Sequence, residues 1–239
     1  MLRLELLLYQ HKNGARLCSV CAGAFILAET GLLKGRPATT HWGLAYDLQK
    51  QFPDAIINSE RILINDGDIV TAGGITAWID LSLELVALFA GPAIMRLMGK
   101  QLIFDTGHRE QRYYQSFSPS FSHGDSIMIA AQNFIHENYF HQVNIKEIAE
   151  SICLSEKTLL RRFKKATGMV PINYLQRVRI QKACDFLENS DDSFETICDK
   201  VGYVDVSSFR KIFIKTMGLT PREFRKRFAY QSHEIDNSL

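Results

Sequence analysis

Apolar residues recur at every third or fourth position through the second half of the chain, which is the spacing of amphipathic helices. The spacing predicts one helix over residues 126–139 and another over residues 172–187. The inner face predicted for the first of these helices carries Ile127, Ala130, Ala131, Phe134 and Ile135. Shorter apolar segments on either side of the second helix predict two pairs of small helices. This half of the chain is therefore expected to be all α.

The first half of the chain combines helical spacing with short apolar runs. The predicted helices cover residues 2–12, 43–51, 76–89 and 92–104. The predicted strands cover residues 15–20, 56–57, 62–64 and 69–70, with a turn at Asn65-Asp-Gly67. Strands that alternate with helices in this way form an α/β layer with a largely parallel sheet.

The second half of the chain contains a repeat with an offset of about 50 residues. The residues Leu159, Phe163, Gly168 and Pro171 are matched by Phe209, Phe213, Gly218 and Pro221. Each copy reads as a short helix, a turn, a second helix and then Gly-x-x-Pro. The glycine can end the second helix in the left-handed conformation, and the proline can start the next helix. Gly202 lies where the second copy must turn between its two helices. The repeated pattern of helix, turn and helix predicts a duplicated helix-turn-helix.

The second helix of the first copy has features that suit a DNA major groove. Ser155 is placed to cap its N-terminus, and Leu159 and Phe163 lie one turn apart as an apolar seam. Lys157 and Arg161 fall on other faces. Basic solvated faces are common, so one such helix is a weak signal, and the duplication makes the DNA-binding interpretation much stronger.

Charge is distributed unevenly along the chain. The formal net charge of the whole chain is only +2. Residues 144–229 hold 17 Lys and Arg against 11 Asp and Glu, a net of +6, whereas residues 1–143 hold 11 against 13, a net of −2. The basic excess therefore coincides with the repeated motif, as a contact with phosphates requires.

Several other classes of protein do not fit the sequence. No apolar run approaches the length of a membrane span, and the N-terminus has Glu5 within its apolar stretch and no cleavage site of a signal peptide. Five cysteines without a framework spacing indicate free thiols in a reducing cytoplasm. Cys18 and Cys21 form a Cys-x-x-Cys, but no second pair completes a metal site. We therefore expect no metal, no cofactor and no membrane partner.

Residues 144–228 resemble the DNA-binding domain of the AraC/XylS family of bacterial transcription regulators. The residues that carry the resemblance are Ile148-Ala149, Ser155 to Phe163, Gly168-Met-Val-Pro171, Ile197 to Tyr203, Phe209 to Phe213 and Gly218-Leu-Thr-Pro221. Cys198 and Tyr203 depart from the more usual alanine and phenylalanine. The resemblance implies a bacterial cytoplasmic protein that acts at the nucleoid, with double-stranded promoter or operator DNA and RNA polymerase as partners.

The resemblance also implies which residues read DNA. The predicted base contacts are Lys157, Leu160 and Arg161 in the first copy, and Ser207, Ser208 and Lys211 in the second, with Arg210 nearby as a base or phosphate contact. The candidate phosphate contacts are Arg162, Lys164, Lys165, Arg177 and Arg179. The rigid helix 172–187 would hold the two reading helices about 34 Å apart, one turn of DNA.

The first half of the chain contains a second candidate site. A predicted strand runs into Cys21-Ala22-Gly23, where small residues surround a nucleophile at a sharp turn, as in a nucleophile elbow. His41 follows 20 positions later. Together with Thr71 to Ala77 and Asp80, this block resembles the PfpI/ThiJ (class I glutamine-amidotransferase-like) superfamily, and most closely the GlxA-like regulators, which join such a domain to an AraC-type domain.

The resemblance predicts a flavodoxin-like, class I amidotransferase-like α/β domain, followed by an all-α domain with two helix-turn-helix motifs. The predicted boundaries are 1–104 for a sensor or dimerisation domain that lacks its first part, 105–125 for a linker, 126–230 for the DNA-binding domain and 231–239 for a tail. Within the DNA-binding domain they are about 144–166 for the first motif, 172–188 for the linking helix and about 194–217 for the second motif. The missing first part indicates either a truncated product, which would bind DNA without control by an effector, or a sensor supported by a partner.

Two functions from different classes remain open on the sequence alone. The preferred hypothesis is a sequence-specific transcription regulator, not an enzyme, that is controlled by a small-molecule effector and able to form a homodimer. The alternative is an amidotransferase- or ThiJ-like enzyme that uses Cys21 as its nucleophile. Ala22 stands where the peptidase-like members have a histidine, and the sequence supplies no acid to orient His41. Cys21 and His41 are therefore predicted to be a vestigial sensor site or scaffold rather than a catalytic pair.

Overall fold

A computed structural model describes residues 2–107 and 109–229, so the predicted tail lies outside the described residues. The chain divides between Gln115 and Ser116 into two compact units. The N-terminal unit contains the helices α1 Leu2–Lys12, α2 Gly23–Glu29, α3 Ala45–Gln51, α4 Trp78–Ala90 and α5 Pro92–Leu102. Its strands are β1 Leu17–Val20, β2 Pro37–Ala38, β3 Ile56–Ile57, β4 Leu63–Asn65 and β5 Ile69–Ala72.

The strands of the N-terminal unit form two small sheets. In the first sheet β5 lies between β1, to which it is parallel, and β4, to which it is antiparallel. The second sheet pairs β2 with β3 in parallel. The predicted turn explains the antiparallel pair, because Gly67 takes a φ of 81° and the amide of Asp66 donates to the carbonyl of Ile69 at 2.9 Å. A hairpin this short can only join antiparallel strands.

Strand β5 is the centre of the N-terminal core. All four of its residues are buried. Ile69 belongs to a cluster with Leu27 of α2 and Leu48 of α3, whereas Val70 belongs to a cluster with Leu81 of α4. Because successive side chains of a strand point to opposite faces, β5 is covered by helices on both sides. The α/β prediction for this half is confirmed.

The C-terminal unit is all α, as predicted. Its helices are α6 Ser126–Asn138, α7 Ile145–Ser151, α8 Glu156–Thr167, α9 Pro171–Asn189, α10 Phe194–Lys200, α11 Val206–Met217 and α12 Pro221–Phe228. One apolar cluster surrounds α8, with Phe163 at its centre, and a second surrounds α11, with Phe213 at its centre. The side chain of Tyr139 packs against both clusters. Helix α9 contributes residues to both and joins the two halves of the unit.

The two copies of the repeat adopt the same local structure. Ser155 and Asp205 cap α8 and α11 by accepting hydrogen bonds from backbone amides of the first turn. Gly168 and Gly218 end these helices with φ values of 76° and 73°. Both copies thus use the predicted start and stop residues, which fixes the length of each helix.

The inner face of α6 differs from the predicted one. Ile127 is 38% exposed, and the residues that are wholly buried include Met128 and Gln132. Gln132 fits inside because its amide nitrogen donates to the hydroxyl of Tyr174 at 3.1 Å, and its amide oxygen bonds the ring of His123 at 2.8 Å. A polar side chain whose hydrogen-bond partners are all supplied can occupy a core position. The buried face of α6 is therefore rotated about the helix axis relative to the face that the apolar residues predict.

The segment 105–125, predicted as a linker, is shared between the units. Gln111 is 3% exposed within the N-terminal unit, and its backbone amide donates to the carbonyl of Glu60 at 2.7 Å. Phe117 belongs to the C-terminal unit, where its ring contacts that of Tyr174 edge to face at 5.1 Å. In the described residues, no helix combines the length and the apolar character needed to cross a membrane.

Candidate nucleic-acid interface

Helix α8 presents a polar outer face and an apolar inner face. Leu159 and Phe163 are completely buried in the core of the C-terminal unit. The predicted base contacts Lys157 and Arg161 are exposed on the outside, and Leu160 is 38% exposed. The inner residues fix the rotation of the helix about its axis, so the three predicted contacts are held at the surface together.

Helix α11 repeats this arrangement with different side chains. Phe209 and Phe213 are completely buried, and Ser207, Ser208 and Lys211 are exposed. The hydroxyl of Ser208 donates to the carboxylate of Asp205 at 2.5 Å, and this bond holds the pKa of Asp205 below its usual range. The cap of the helix and one predicted base contact therefore share a hydrogen bond.

Arg210 lies at the edge of the same face and already has partners. Its guanidinium donates to the carboxylate of Glu195 at 3.1 Å and lies over the ring of Phe194 at 4.8 Å from the centroid. The side chain is 43% exposed. A contact with DNA would require Arg210 to exchange Glu195 for a phosphate or a base, which an exposed ion pair allows at little cost.

Two of the candidate phosphate contacts have structural roles. Arg162 donates two hydrogen bonds to the carboxylate of Asp125, at 2.7 and 3.2 Å, and these bonds lower the pKa of Asp125. Asp125 also caps α6, so Arg162 ties α8 to α6. Arg179 is only 8% exposed. Its guanidinium donates to the carbonyls of Tyr139 and His141 at 2.7 and 2.6 Å. These bonds hold the side chain inside the unit, which favours a structural role for Arg179 over the predicted phosphate contact.

The other candidate phosphate contacts lie at the surface. Lys164 and Lys165 are exposed on α8, and Arg177 is half-buried on α9. Lys165 lines an open cleft of about 650 Å³ with Arg161 and the residues before α6. Val204, which lies directly before α11 and was not among the predicted contacts, is 84% exposed.

The two helix-turn-helix motifs are joined by a compact junction. It contains Arg179 of α9, the segment 139–142 between α6 and α7, and the turn at Gly202. The side-chain amide of Gln142 donates to the carbonyl of Gly202 at 2.9 Å. A Cβ at Gly202 would lie 2.7 Å from the carbonyl oxygen of Phe140, and the φ of Gly202 is 79°. Only glycine satisfies both the conformation and this close approach.

Cys21 occupies a strained turn at the end of β1, as the elbow pattern predicts. Its φ is 53°, and its amide donates to the carbonyl of Ala72 at 2.9 Å. The hydroxyl of Thr40 donates to the carbonyl of Cys21 at 2.8 Å. His41 lines a cavity of about 190 Å³. Cys21 is not among the described residues that line this cavity, so the predicted pair does not share it.

The side chain of Gln111 closes one side of this cavity. Its amide oxygen accepts from the amide of Trp42 at 2.9 Å, and its amide nitrogen donates to the carbonyl of Thr40 at 2.8 Å. A Cβ at Gly73 would lie 2.2 Å from this nitrogen, so glycine is needed there. Asp80 and Arg109, which also line the cavity, form an ion pair of 2.6 Å. The cavity thus has fixed hydrogen-bonding groups, an ion pair and aromatic surface.

Comparisons with known proteins match both units. Residues 148–227 match the model of a helix-turn-helix domain, and residues 3–88 match the model of the DJ-1/PfpI family. The transcriptional regulator GbdR of Pseudomonas aeruginosa is 25% identical over 218 residues, which are 91% of this chain and 59% of that protein. The transcriptional activator RhaS of Escherichia fergusonii is 36% identical over 93 residues, which are 39% of this chain and 34% of that protein.

A solved structure is also similar to part of this chain. It is an AraC-type transcriptional regulator from Chromobacterium violaceum, 25% identical, with a TM-score of 0.42, a coverage of 44% of this chain and a coverage of 93% of that chain. The chain spans about three-fifths of the length of the curated relatives that it matches over both units.

Proposed function

We propose that this chain, which joins a DJ-1/PfpI-type domain to an AraC-type helix-turn-helix domain, is a sequence-specific transcription regulator that reads two adjacent major-groove segments. The observation that carries the proposal is the equivalence of α8 and α11. Both helices are capped at the same position, anchored by two buried apolar residues and exposed on the same outer face. A duplicated motif with two outward helices is expected of a protein that enters the groove twice.

The side chains divide into two roles. Arg161 can bond a guanine edge through two nitrogens, Lys157 can reach a base or a phosphate, and Leu160 can contact a thymine methyl group. In the second motif Ser207, Ser208 and Lys211 would read bases, with Arg210 at the edge. Lys164, Lys165 and Arg177 would hold the backbone and set the register. The two recognition helices, α8 and α11, differ in sequence, so the two half-elements of the operator are expected to differ as well.

The experiment that tests the proposal is a selection from a genomic fragment library. The full chain is titrated against the library with excess non-specific competitor at two salt concentrations. We expect enrichment of a site with two half-elements about one helical turn, roughly 34 Å, apart. Binding that is sensitive to salt but enriches no site would contradict the proposal, because it would require only a basic surface.

Arg161 offers a sharper test of base reading. We expect Arg161→Ala to weaken binding to the selected site by about 1–3 kcal/mol, roughly 5- to 150-fold, with little change on random DNA. The matched control is Arg222→Ala, which removes an equal charge from an exposed position on α12. Fluorescence anisotropy on both DNAs measures the difference. An equal loss on both DNAs would assign Arg161 to a phosphate instead.

Further partners belong to the same proposal. The cavity beside His41 would hold a small-molecule effector, whose binding would be transmitted to the DNA-binding unit. The regulator would act at the nucleoid of a bacterial cytoplasm, contact RNA polymerase and form a homodimer. Cys21 and His41 are retained as a vestigial sensor site without a catalytic role, since Cys21 lies outside the lining of the cavity among the described residues.

A further inference from the structure

Ser208 lies in the first turn of α11, the part of a recognition helix that meets base edges in helix-turn-helix proteins. Its side chain is exposed, and Lys211 lies one turn further along the same outer face. A serine hydroxyl normally reads bases ambiguously, because it can donate its single proton or accept through its oxygen. Which of the two Ser208 does depends on whether its proton already has a partner.

The proton of Ser208 is held by Asp205. The hydroxyl donates to the carboxylate oxygen Oδ2 at 2.5 Å, while the other oxygen, Oδ1, accepts from the backbone amide of Ser207 at 2.9 Å. The bond from Ser208 lowers the pKa of Asp205, so the carboxylate is ionised at neutral pH and can only accept. The proton between the two side chains therefore belongs to Ser208.

The bond to Asp205 is stronger than one that a neutral base offers to the same hydroxyl. A hydrogen bond to an ionised group is roughly twice as strong as one between neutral groups. If the hydroxyl of Ser208 turned to an acceptor on a base, it would leave the carboxylate against the lone pairs of the serine oxygen. Ser208 is therefore expected to keep its proton on Asp205 when DNA is bound, and to present only an acceptor to a base.

The first motif lacks this arrangement. Its cap is Ser155, whose hydroxyl oxygen lies 3.0 Å from that of Thr158, and either oxygen can be the donor. Ser155 and Thr158 correspond to Asp205 and Ser208 at the offset of about 50 residues that relates the two copies. A neutral cap leaves the direction of the hydrogen bond open, whereas the carboxylate of the second motif fixes it. The two motifs thus differ in the charge of the cap.

We propose that Asp205 makes Ser208 a reader of amino groups, N6 of adenine or N4 of cytosine. Each base pair carries one such donor in the major groove, beside acceptors that a serine with a free proton would read equally well. Asp205 meets no base in this arrangement and acts as a positioning residue. The inference rests on the proposed function, to which it adds the chemical group that Ser208 recognises in the operator.

The first step of the test locates the base pair that Ser208 reads. The selection from the genomic fragment library is repeated with the Ser208→Ala variant of the full chain. We expect the base preference to relax at one position of the second half-element, and binding to the wild-type site to weaken roughly fivefold. If no position relaxed, Ser208 would read no base and the inference would be overturned.

The second step removes single groups from that base pair in a synthetic operator. Purine in place of adenine, or pyrimidin-2-one in place of cytosine, removes the amino group, and a 7-deazapurine removes an acceptor of the same pair. Fluorescence anisotropy measures the affinities. Loss of the amino group should weaken binding of the wild type roughly fivefold more than binding of Ser208→Ala, whereas loss of the acceptor should affect both proteins equally. Coupling of Ser208 to the acceptor, or to neither group, would overturn the inference.

The variant Asp205→Asn tests the positioning role. Asparagine still caps the helix, but its amide nitrogen donates to the oxygen of Ser208 and frees the hydroxyl proton. The extra cost of removing the amino group should therefore disappear, and a merely structural cap would not produce this change in recognition. Asp205→Ser, with the cap type of the first motif, should also reduce that cost, and it decides the matter if Asp205→Asn fails to fold.

The matched control is Asp199→Asn, which removes an exposed carboxylate from α10, away from the cap of α11. It should keep the extra cost of losing the amino group. A cost that persisted in Asp205→Asn, or that disappeared in Asp199→Asn, would overturn the inference and leave the proposed function standing. A wild type that enriched no site at all would instead contradict the proposed function, so the two failures are distinguishable.

Discussion

Replacing Phe213 with alanine is expected to lower the free energy of unfolding of the C-terminal unit by about 3–5 kcal/mol. The side chain is completely buried, and its ring contacts those of Phe194 and Phe224 edge to face at 6.0 and 5.7 Å. The truncation would leave a cavity between rings held by two different helices, α10 and α12, which cannot easily close over it. Since a domain of this size has only about 5–15 kcal/mol in total, the second motif should open at moderate denaturant.

The positions of the tryptophans allow the stability of the C-terminal unit to be measured separately from that of the N-terminal unit. The only tryptophans of the chain, Trp42 and Trp78, both lie in the N-terminal unit. Hydrogen exchange of amides in residues 194–228 therefore reports the effect, while tryptophan fluorescence reports the unit that should not change. Ile214→Ala is the matched control, because Ile214 is the next residue of α11 and is 36% exposed. A loss below about 1 kcal/mol for Phe213→Ala would show that the surrounding rings collapse into the space.

Arg179→Met is expected to destabilise the C-terminal unit by about 2–4 kcal/mol. Methionine keeps much of the apolar stem but removes two charge-assisted hydrogen bonds, which leaves the carbonyls of Tyr139 and His141 without the guanidinium. It also removes a cation from the ring of Tyr203, 5.0 Å away. Burial lowers the pKa of Arg179, yet the two carbonyls and the ring keep the charge in place.

Urea unfolding followed by hydrogen exchange of residues 126–228 measures the loss. Arg222→Met is the control, since Arg222 is exposed on α12 and its change should stay within about 0.5 kcal/mol. If Arg179 were a phosphate contact, Arg179→Met would weaken DNA binding at every sequence and leave the unfolding curve unchanged. The two outcomes cannot be confused.

The architecture of the C-terminal unit could be predicted from the sequence because the same helix start and stop signals occur in both copies of the repeat. Gly168 and Gly218 end their helices through their own backbone conformation, so the residue type alone predicts the end of the helix. The turn of the first motif shows the limit of such predictions. Gly202 was recognisable as a turn residue, but the equivalent position holds Cys153, which takes a φ of 54° without any signal in the sequence.

The structure departs from the sequence pattern at polar residues whose partners are distant in the chain. Gln132 entered the core and Arg179 became buried because Tyr174 and the carbonyl of Tyr139 supplied their hydrogen bonds. Sequence spacing contains no information about such partners. Gln111 is the same case in the N-terminal unit: it lies in a polar, aperiodic segment, yet its side chain is bound at the end of the sheet, 72 positions from Thr39.

The junction of Arg179, segment 139–142 and Gly202 has a consequence for affinity. Because it fixes one recognition helix relative to the other, the first groove contact would present the second helix at a high effective concentration to the adjacent groove. Two groove contacts that are weak individually would then combine into one high-affinity interaction, because the second contact costs no further loss of translational freedom of the protein. A variant that loosened only the junction would lose affinity while every side chain that meets a base remained unchanged.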